Sequence, residues 1–191
     1  MKIEICEETR SALDEYAAIP IAFEVASVFD VSDSSHSSGA FALTERRLAT
    51  PYRKDYDACS GEGPAQWGLH FDLTNWGFFA AREEGRLVGG AAMAIRTPGV
   101  DMLEGRDDLA VLWDIRVLPD VRGRGVGAAL FQAAELWARN KGCRQLKVET
   151  QNINVPACKF YARQGCVLKT VNRRAYPELP EEAQLLWYKD I

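Results

Sequence analysis

The sequence predicts a single α+β domain with a mixed sheet over residues 1–191. Three observations predict this fold class. The chain has 191 residues, which is the usual length of one compact domain. Two apolar runs separated by a short polar turn predict an antiparallel hairpin in the middle of the chain. Strand and helix patterns then alternate towards the C-terminus, as is typical of a mixed α+β domain.

The first third of the chain begins with two recognisable elements. Residues 2–7 alternate polar and apolar side chains, which predicts a short strand. Thr9 is a candidate N-cap for a helix that runs to about residue 18. Residues 23–31 alternate loosely and predict an extended segment.

The next segment carries little periodic signal. The serine-rich residues 32–39 predict a mobile loop, and Gly61–Pro64 predicts a turn. Residues 40–75 mix aromatic and charged side chains without a clear period. We expect part of this segment to line a substrate site.

The second half reads more clearly. Apolar runs predict strands over residues 76–82, 87–96, 109–117, 145–150, 166–171 and 184–189. A helix is predicted over residues 123–140, because its apolar residues share one face and Gly142 follows as a stop signal. A second helix should begin after the cap residue Asn154, with Pro156 in its first turn, and end at Gly165.

Composition and charge exclude several classes of protein. The net charge of −4, without a basic tract, argues against nucleic-acid binding. No run of about 18 apolar residues is present, so we expect no membrane span. His36 and His70 are far apart and belong to no cluster with ligand spacing, so we expect no metal site. The five scattered cysteines predict a reduced, cytoplasmic protein: Cys6, Cys59, Cys143, Cys158 and Cys166.

The most informative stretch is residues 109–127, where an apolar strand stops at Pro119 and an Arg-x-x-Gly-x-Gly turn opens a helix. Glycines allow the backbone to approach a ligand closely. A helix N-terminus supplies N–H groups outside the helical ladder and the positive end of a dipole. The turn therefore predicts a site for a phosphate-bearing cofactor.

Other interpretations of this turn are weaker. Gly123, Gly125 and Ala128 fit the dinucleotide fingerprint G-x-G-x-x-G/A, and Glu149 lies about 20 residues further on. A dinucleotide turn follows its strand directly, however, whereas residues 118–122 intervene here, and too few residues remain for a doubly wound sheet. A P-loop requires Lys-Ser/Thr after the last glycine, where this chain has two alanines. The glycines could also do no more than shape a turn.

Two motifs resemble those of the GNAT acyltransferase superfamily. Residues 117–127, Val-Leu-Pro-Asp-Val-Arg-Gly-Arg-Gly-Val-Gly, resemble its acetyl-CoA signature. Residues 154–166 resemble its Asn-x-x-Ala-x-x-Phe-Tyr-x-x-x-Gly-Phe segment, with Cys166 in place of the final Phe. More narrowly, residues 76–79, 148–154 and the C-terminal tail are similar to streptothricin acetyltransferases. The superfamily resemblance covers residues 76–190 well. It implies a GNAT-like fold, in which helices flank a mixed, mostly antiparallel central sheet with a β-bulge or splay at the acetyl-CoA site.

The resemblance implies a set of cofactor-binding residues. Amides of the turn would hold the diphosphate of acetyl-CoA, with positive charge from Arg122 and Arg124 nearby. The backbone of Ile115 and Val117 would pair with the pantetheine arm, and Asn154 would hydrogen-bond to it, although Asn154 could equally be only an N-cap. The full set implied is Ile115, Val117, Arg122, Gly123, Arg124, Gly125, Val126, Gly127, Asn154 and Phe160.

The resemblance also implies the catalytic residues. Tyr161 would be the general acid for the leaving thiolate. Asp114 is the first candidate for the base that deprotonates the amine. It could instead bind the ammonium or pair with an arginine, and Glu149 is the second candidate for the base.

The implied reaction is N-acetylation of a small cationic molecule, most simply the β-lysine part of streptothricin, by direct transfer from acetyl-CoA in a ternary complex. A polyamine, a metabolite amine or a protein amine are alternative acceptors, and a coenzyme A-binding module without turnover is an alternative function. We expect a monomer or homodimer that binds neither nucleic acid nor membrane. The N-terminal third should contribute to the acceptor site.

Overall fold

The computed structural model describes residues 3–33, 41–58 and 63–191. His36 and Cys59, most of the predicted serine-rich loop and the first half of the Gly61–Pro64 turn therefore lie outside the described residues. The described chain forms two compact units. The first contains described parts of residues 1–22, 55–146 and 190–191, and the second those of residues 23–54 and 147–189.

Strands and short helices alternate along the described chain. The strands are β1 Ile3–Glu8, β2 Phe23–Asp33, β3 Phe41–Lys54, β4 Trp76–Glu83, β5 Arg86–Ala94, β6 Leu109–Val117, β7 Gln145–Gln151, β8 Val167–Asn172 and β9 Gln184–Asp190. The α-helices are α1 Leu13–Ala17, α2 Trp67–His70, α3 Val126–Asn140 and α4 Val155–Arg163.

The first unit consists of four hydrogen-bonded strands in the order β1-β4-β5-β6, with antiparallel pairing throughout. Helix α3 packs on this sheet, and Gly77 of β4 lies directly under the Trp137 ring of the helix. On α1, the Tyr16 ring lies against β5, where a Cβ added at Gly90 would come within 2.5 Å of it. Glycine at these two positions therefore lets aromatic rings approach the sheet backbone closely.

The second unit contains strands in the order β7-β9-β8, with β8 and β9 antiparallel, and the separate antiparallel pair β2-β3. Val25 and Val28 of β2 form a small buried apolar cluster with Ile153, which follows β7. Asn152 joins three segments of this unit. Its side chain donates to the Phe29 carbonyl (3.1 Å) and accepts from the Ala183 amide (2.7 Å).

The predicted α+β fold class is confirmed, and eight of the nine described strands and the two longer helices lie within a few residues of their predicted bounds. Thr9 caps a 3₁₀ turn at Arg10–Ala12 before α1, so the predicted first helix is divided and ends at Ala17. Strand β3 was not predicted. Most of its side chains are exposed, so it lacks the alternation of a half-buried strand, and it contains Pro51.

Candidate active site

The turn between β6 and α3 contains two glycines with left-handed backbone conformations. Gly123 and Gly125 have φ angles of 77° and 88°, in the left-handed region that favours glycine. Gly125 is the N-cap residue, and the first bond of the helical ladder runs from the Ala129 amide to its carbonyl (3.0 Å). The amides of residues 126–128 precede that bond and form the positive end of a fifteen-residue helix. This arrangement suits an anion.

Gly125→Ala should lower the free energy of unfolding by about 1–2 kcal/mol, because alanine is strained in the left-handed region. No atom lies within 4 Å of the position of an added Cβ, so the expected loss comes from backbone strain and not from a clash. Denaturant unfolding monitored by circular dichroism measures it.

Gly63→Ala is the matched control, because Gly63 has a φ of −68° and equally open space around its Cβ position. That change should leave the protein as stable or up to about 1 kcal/mol more stable. Equal effects of the two substitutions would contradict the strain argument.

The two arginines of the turn have protein partners. The Arg122 Nε donates to the Val117 carbonyl (2.9 Å), and its terminal nitrogens lie 3.4–3.5 Å from the carbonyls of Pro20 and Ala22. Burial among these groups lowers the pKa of Arg122. Arg124 forms an ion pair with Glu83 (2.5 Å). Arg122 thus fastens residues 20–22 to the turn, and its predicted contribution to cofactor binding stays a prediction.

Strand β6 contains a β-bulge opposite β5. Ala92 pairs with Asp114 and Met93 with Leu112, so Trp113 is the extra residue of the bulge. Bulges re-aim side chains and are frequent beside active sites. This feature agrees with the irregular strand that the sequence resemblance implied.

Ile115 and Val117, predicted to pair with pantetheine, lie just after this bulge. They are in register with Ala91 and Gly89 of β5. Their β5 side is therefore used within the sheet of the first unit. Their predicted contact with a cofactor stays a prediction.

Asp114 belongs to a buried ion cluster centred on Arg116. The Asp114 and Arg116 side chains are 6% and 3% exposed, and Arg116 Nε donates to Asp114 Oδ2 (2.8 Å). The terminal nitrogens of Arg116 bind both oxygens of Asp57 (2.8 and 2.9 Å) and the Ile19 carbonyl (3.1 Å). The guanidinium also lies 5.5 Å from the centre of the Tyr16 ring. Of the three possibilities for Asp114, this geometry matches pairing with an arginine.

The charge state of Asp114 depends on this partner. Burial raises the pKa of Asp114 above its usual value, whereas the charge of Arg116 and its hydrogen bond act in the opposite direction. The charged form of Asp114 therefore depends on Arg116 as its counter-charge. Arg116 binds Oδ2 of this carboxylate, whereas Oδ1 is buried without a hydrogen-bond partner among the described residues.

In the second unit, α4 positions Asn154 and Tyr161. The Asn154 side chain accepts from the Ala157 amide (3.2 Å), which confirms its role as the N-cap. Pro156 lies in the first turn of the helix, as predicted. Tyr161 is 5% exposed, and its ring contacts the Phe160 ring edge-on at 5.1 Å. The predicted roles of Asn154, Phe160 and Tyr161 towards a cofactor stay predictions.

Glu149 of β7 is held by three polar side chains, which we call the Glu149 cluster: Tyr176, Gln151 and Gln184. Tyr176 Oη donates to Glu149 Oε1. Gln151 Nε2 donates to the same Oε1 (3.3 Å) and to Tyr176 Oη (2.8 Å). Gln184 Nε2 donates to Glu149 Oε2 (2.7 Å). Glu149 and Tyr176 are both half-buried, so this carboxylate is fixed in place yet accessible.

The predicted site residues thus form two groups, one in each unit. The first unit contains Asp114, the end of β6 and the turn, and the second contains Glu149 and α4. Sequence reasoning missed Arg116, Asp57, Gln151 and Gln184. Arg116 could have been predicted, because residues two apart on a strand share a face and Asp114 precedes it by two. Asp57 and Gln184 are distant in sequence from their partners and carry no local signal.

The described residues contain neither a candidate metal site nor a candidate membrane-spanning helix. Over residues 3–33, 41–58 and 63–191, no group of three or more His, Cys, Asp or Glu side chains could hold a metal ion. Within the same ranges, no helix is long and apolar enough to cross a membrane.

Comparison with known proteins gives consistent matches. The family model described as the acetyltransferase (GNAT) family matches residues 43–166. A streptothricin acetyltransferase of Escherichia coli is 32% identical over 171 residues, which are 87% of this chain and 84% of that protein. Streptothricin acetyltransferase A of Bacillus subtilis is 28% identical over 163 residues, which are 84% of this chain and 86% of that protein.

The fold is also found in solved structures. A Bacillus anthracis protein assigned as a streptothricin acetyltransferase was crystallised in complex with acetyl coenzyme A. It aligns over 100% of both chains with a TM-score of 0.80 and 24% identity. At this identity the likeness shows a shared fold.

Proposed function

We propose, because this chain belongs to the acetyltransferase (GNAT) family, that it transfers the acetyl group of acetyl-CoA to an amine of a streptothricin-type antibiotic. The choice of acceptor is supported by the similarity to streptothricin acetyltransferases over more than four fifths of the chain. The enzyme is an N-acetyltransferase with acetyl-CoA as its co-substrate. As a polycation, the acceptor also suits a protein with a net charge of −4.

The β6–α3 turn is the proposed holder of the acetyl-CoA diphosphate. The residues fit this group, because the amides of residues 126–128 lie outside the helical ladder and side chains are absent at Gly123 and Gly125. Anions are favoured at such a helix end by the dipole and the N–H groups together. We further assign contacts with pantetheine to the backbone of Ile115 and Val117 and to Asn154.

The proposed chemistry is direct transfer within a ternary complex. The neutral amine nitrogen attacks the thioester carbonyl carbon, the C–S bond breaks, and the coenzyme A sulfur takes a proton. A backbone amide at Val117 would stabilise the oxyanion, and one such donor contributes about 3 kcal/mol in known enzymes. Direct transfer forms no acetyl-cysteine intermediate on the enzyme. We therefore expect sequential and not ping-pong kinetics.

For the base that deprotonates the amine, we propose Glu149. Asp114, the first candidate from the sequence, is only 6% exposed and is ion-paired with Arg116, so an acceptor amine reaches it less readily than the half-buried Glu149. Glu149 is half-buried, and its cluster holds both carboxylate oxygens in fixed positions. We therefore assign Asp114 to the support of β6 and Glu149 to the chemistry. We also propose that residues 1–191 act as one domain whose N-terminal third contributes to acceptor binding.

Tyr161→Phe should lower kcat by about 10²-fold or more, as the loss of a general acid does. The leaving thiol and a tyrosine have reference pKa values of about 8.5 and 10, which are close enough for proton transfer between them. Because the ring is retained, acetyl-CoA binding should change by less than about threefold, as isothermal titration calorimetry measures. Unchanged kcat would remove Tyr161 from the acid role.

An acceptor screen tests the proposed function. Purified protein is incubated with acetyl-CoA and streptothricin, an aminoglycoside or spermidine, and release of the coenzyme A thiol is followed. We expect the highest kcat/KM with streptothricin, and mass spectrometry should place one acetyl group on its β-lysine part. Turnover of another amine, with none of streptothricin, would contradict the proposed acceptor.

A further inference from the structure

The Glu149 cluster contains a phenol, Tyr176, that donates one hydrogen bond and accepts another. The Tyr176 oxygen donates its hydrogen to Glu149 Oε1 and at the same time accepts an N–H of Gln151 (2.8 Å). A phenol can do both, because its oxygen has one hydrogen and two lone pairs. The Gln151 amide shows that this oxygen accepts an N–H donor while it remains bonded to the carboxylate. An acceptor ammonium is a donor of the same kind.

The other positions on Glu149 are mostly in use. Oε1 accepts from Tyr176 and from Gln151 (3.3 Å), and Oε2 accepts from Gln184 (2.7 Å). Each carboxylate oxygen has about two acceptor sites, so Oε1 is saturated. A proton that arrives at Oε1 therefore comes most directly along the bond from Tyr176.

Tyr176 is placed by a chain segment that is anchored on both sides. The segment is the β8–β9 connection, residues 173–183. Arg173, at its start, donates to the Val31 carbonyl (3.2 Å). At its end, Glu182 pairs with Lys54 (2.5 Å), and the Ala183 amide donates to the side chain of Asn152 (2.7 Å). The phenol is thus held in advance in the geometry that a proton transfer needs.

We propose that Tyr176 relays the proton of the acceptor ammonium to Glu149. The ammonium N–H bond breaks and its proton moves to the Tyr176 oxygen, while the phenol O–H proton moves to Glu149 Oε1. The amine gains the lone pair with which it attacks the thioester, Tyr176 is restored, and Glu149 later releases its proton to water. Gln151 and Gln184 are positioning residues for this pair. The inference rests on the proposed acetyl transfer.

Tyr176→Phe tests the relay. At pH 7 we expect kcat to fall by at least about tenfold, within the range of lost proton transfer. The KM for acetyl-CoA should stay within twofold of the wild type. Leu179→Ala is the control for loss of a side chain from the same connection, because Leu179 is 42% exposed and has no assigned role; it should behave as wild type.

The pH dependence separates a relay from a structural role. Lysine-type amines have pKa values of about 10, so a rising fraction of the acceptor needs no deprotonation as the assay approaches pH 9.5. The ratio of wild-type to Tyr176→Phe kcat should therefore shrink at least threefold between pH 7 and 9.5. A ratio that stays constant, or a variant within twofold of wild type at pH 7, would overturn the relay.

The same series distinguishes failure of the relay from failure of the proposed acceptor. If the wild-type enzyme acetylates spermidine or an aminoglycoside in place of streptothricin, the acceptor proposal fails. The comparison is then made on that amine. The relay passes or fails there by the same two criteria.

Discussion

Arg116→Met should lower the free energy of unfolding by about 3–5 kcal/mol, the usual effect of removing one partner from a buried ion pair. Arg116 is 3% exposed and binds Asp114, Asp57 and the Ile19 carbonyl. Its loss leaves the 6%-exposed Asp114 carboxylate without a counter-charge and detaches residues 19 and 57 from β6. Denaturant unfolding with a fitted m-value gives the free-energy difference.

The loss should depend on pH in a defined direction. Burial raises the pKa of Asp114, and without Arg116 the opposing influence disappears. A carboxyl whose folded pKa is raised is destabilising when ionised, so the cost grows as the pH rises through that pKa. The deficit of Arg116→Met should therefore be smaller at pH 5 than at pH 8.

Arg86→Met is the control for the loss of an arginine from an ion pair. Arg86 pairs with Asp120, but the two side chains are 59% and 56% exposed. Exposed pairs contribute less than about 1 kcal/mol, so this variant should remain close to wild type. Similar stabilities of the Arg116 and Arg86 variants would contradict the assignment of the Asp114–Arg116–Asp57 cluster as a buried support.

Glu149→Gln should reduce kcat by about 10²–10⁴-fold, as expected when a general base is removed. Glutamine preserves the shape of the side chain, but its amide cannot accept a proton. The KM for acetyl-CoA should change little, because the loss concerns the acceptor amine. Steady-state kinetics with varied acceptor and varied acetyl-CoA separate the two parameters.

Asp114→Asn provides the decisive comparison. If Asp114 supports β6, this variant should retain kcat within about tenfold of wild type, well above Glu149→Gln. The reverse order, with Asp114→Asn inactive and Glu149→Gln active, would return the base to Asp114. Glu24→Gln, at an exposed position of β2, controls for the change of Glu to Gln and should be silent.

The elements that were predicted well from the sequence are those whose own residues decide their structure. Strand β6 has the predicted bounds because its apolar run ends at Pro119. Helix α4 begins where Asn154 and Pro156 indicate. Helix α3 begins at Val126 and not at residue 123, because Gly123 and Gly125 adopt left-handed backbone conformations. Strand β3 was missed because its partner β2 defines it, and its own side chains are mostly exposed.

The site was predictable only where its residues are local. The turn after β6 and the cap at Asn154 are each formed by residues that follow one another in the sequence. The partners of Glu149 are not: Tyr176 and Gln184 lie 27 and 35 residues further along the chain. The pairing of Arg116 with Asp57 spans 59 residues. Contacts of this kind depend on how the chain returns to a strand, which no local pattern reveals.

The β2–β3 hairpin has a consequence for the evolution of this enzyme. Of the fourteen positions in β3, most point their side chains into solvent, and the apolar contacts of the pair are concentrated at Val25, Val28, Phe23 and Leu48. Exposed positions away from buried features tolerate substitution within about 0.5 kcal/mol. Variation can therefore accumulate along this ribbon without loss of folding. Directed libraries that must leave the fold intact are best placed there.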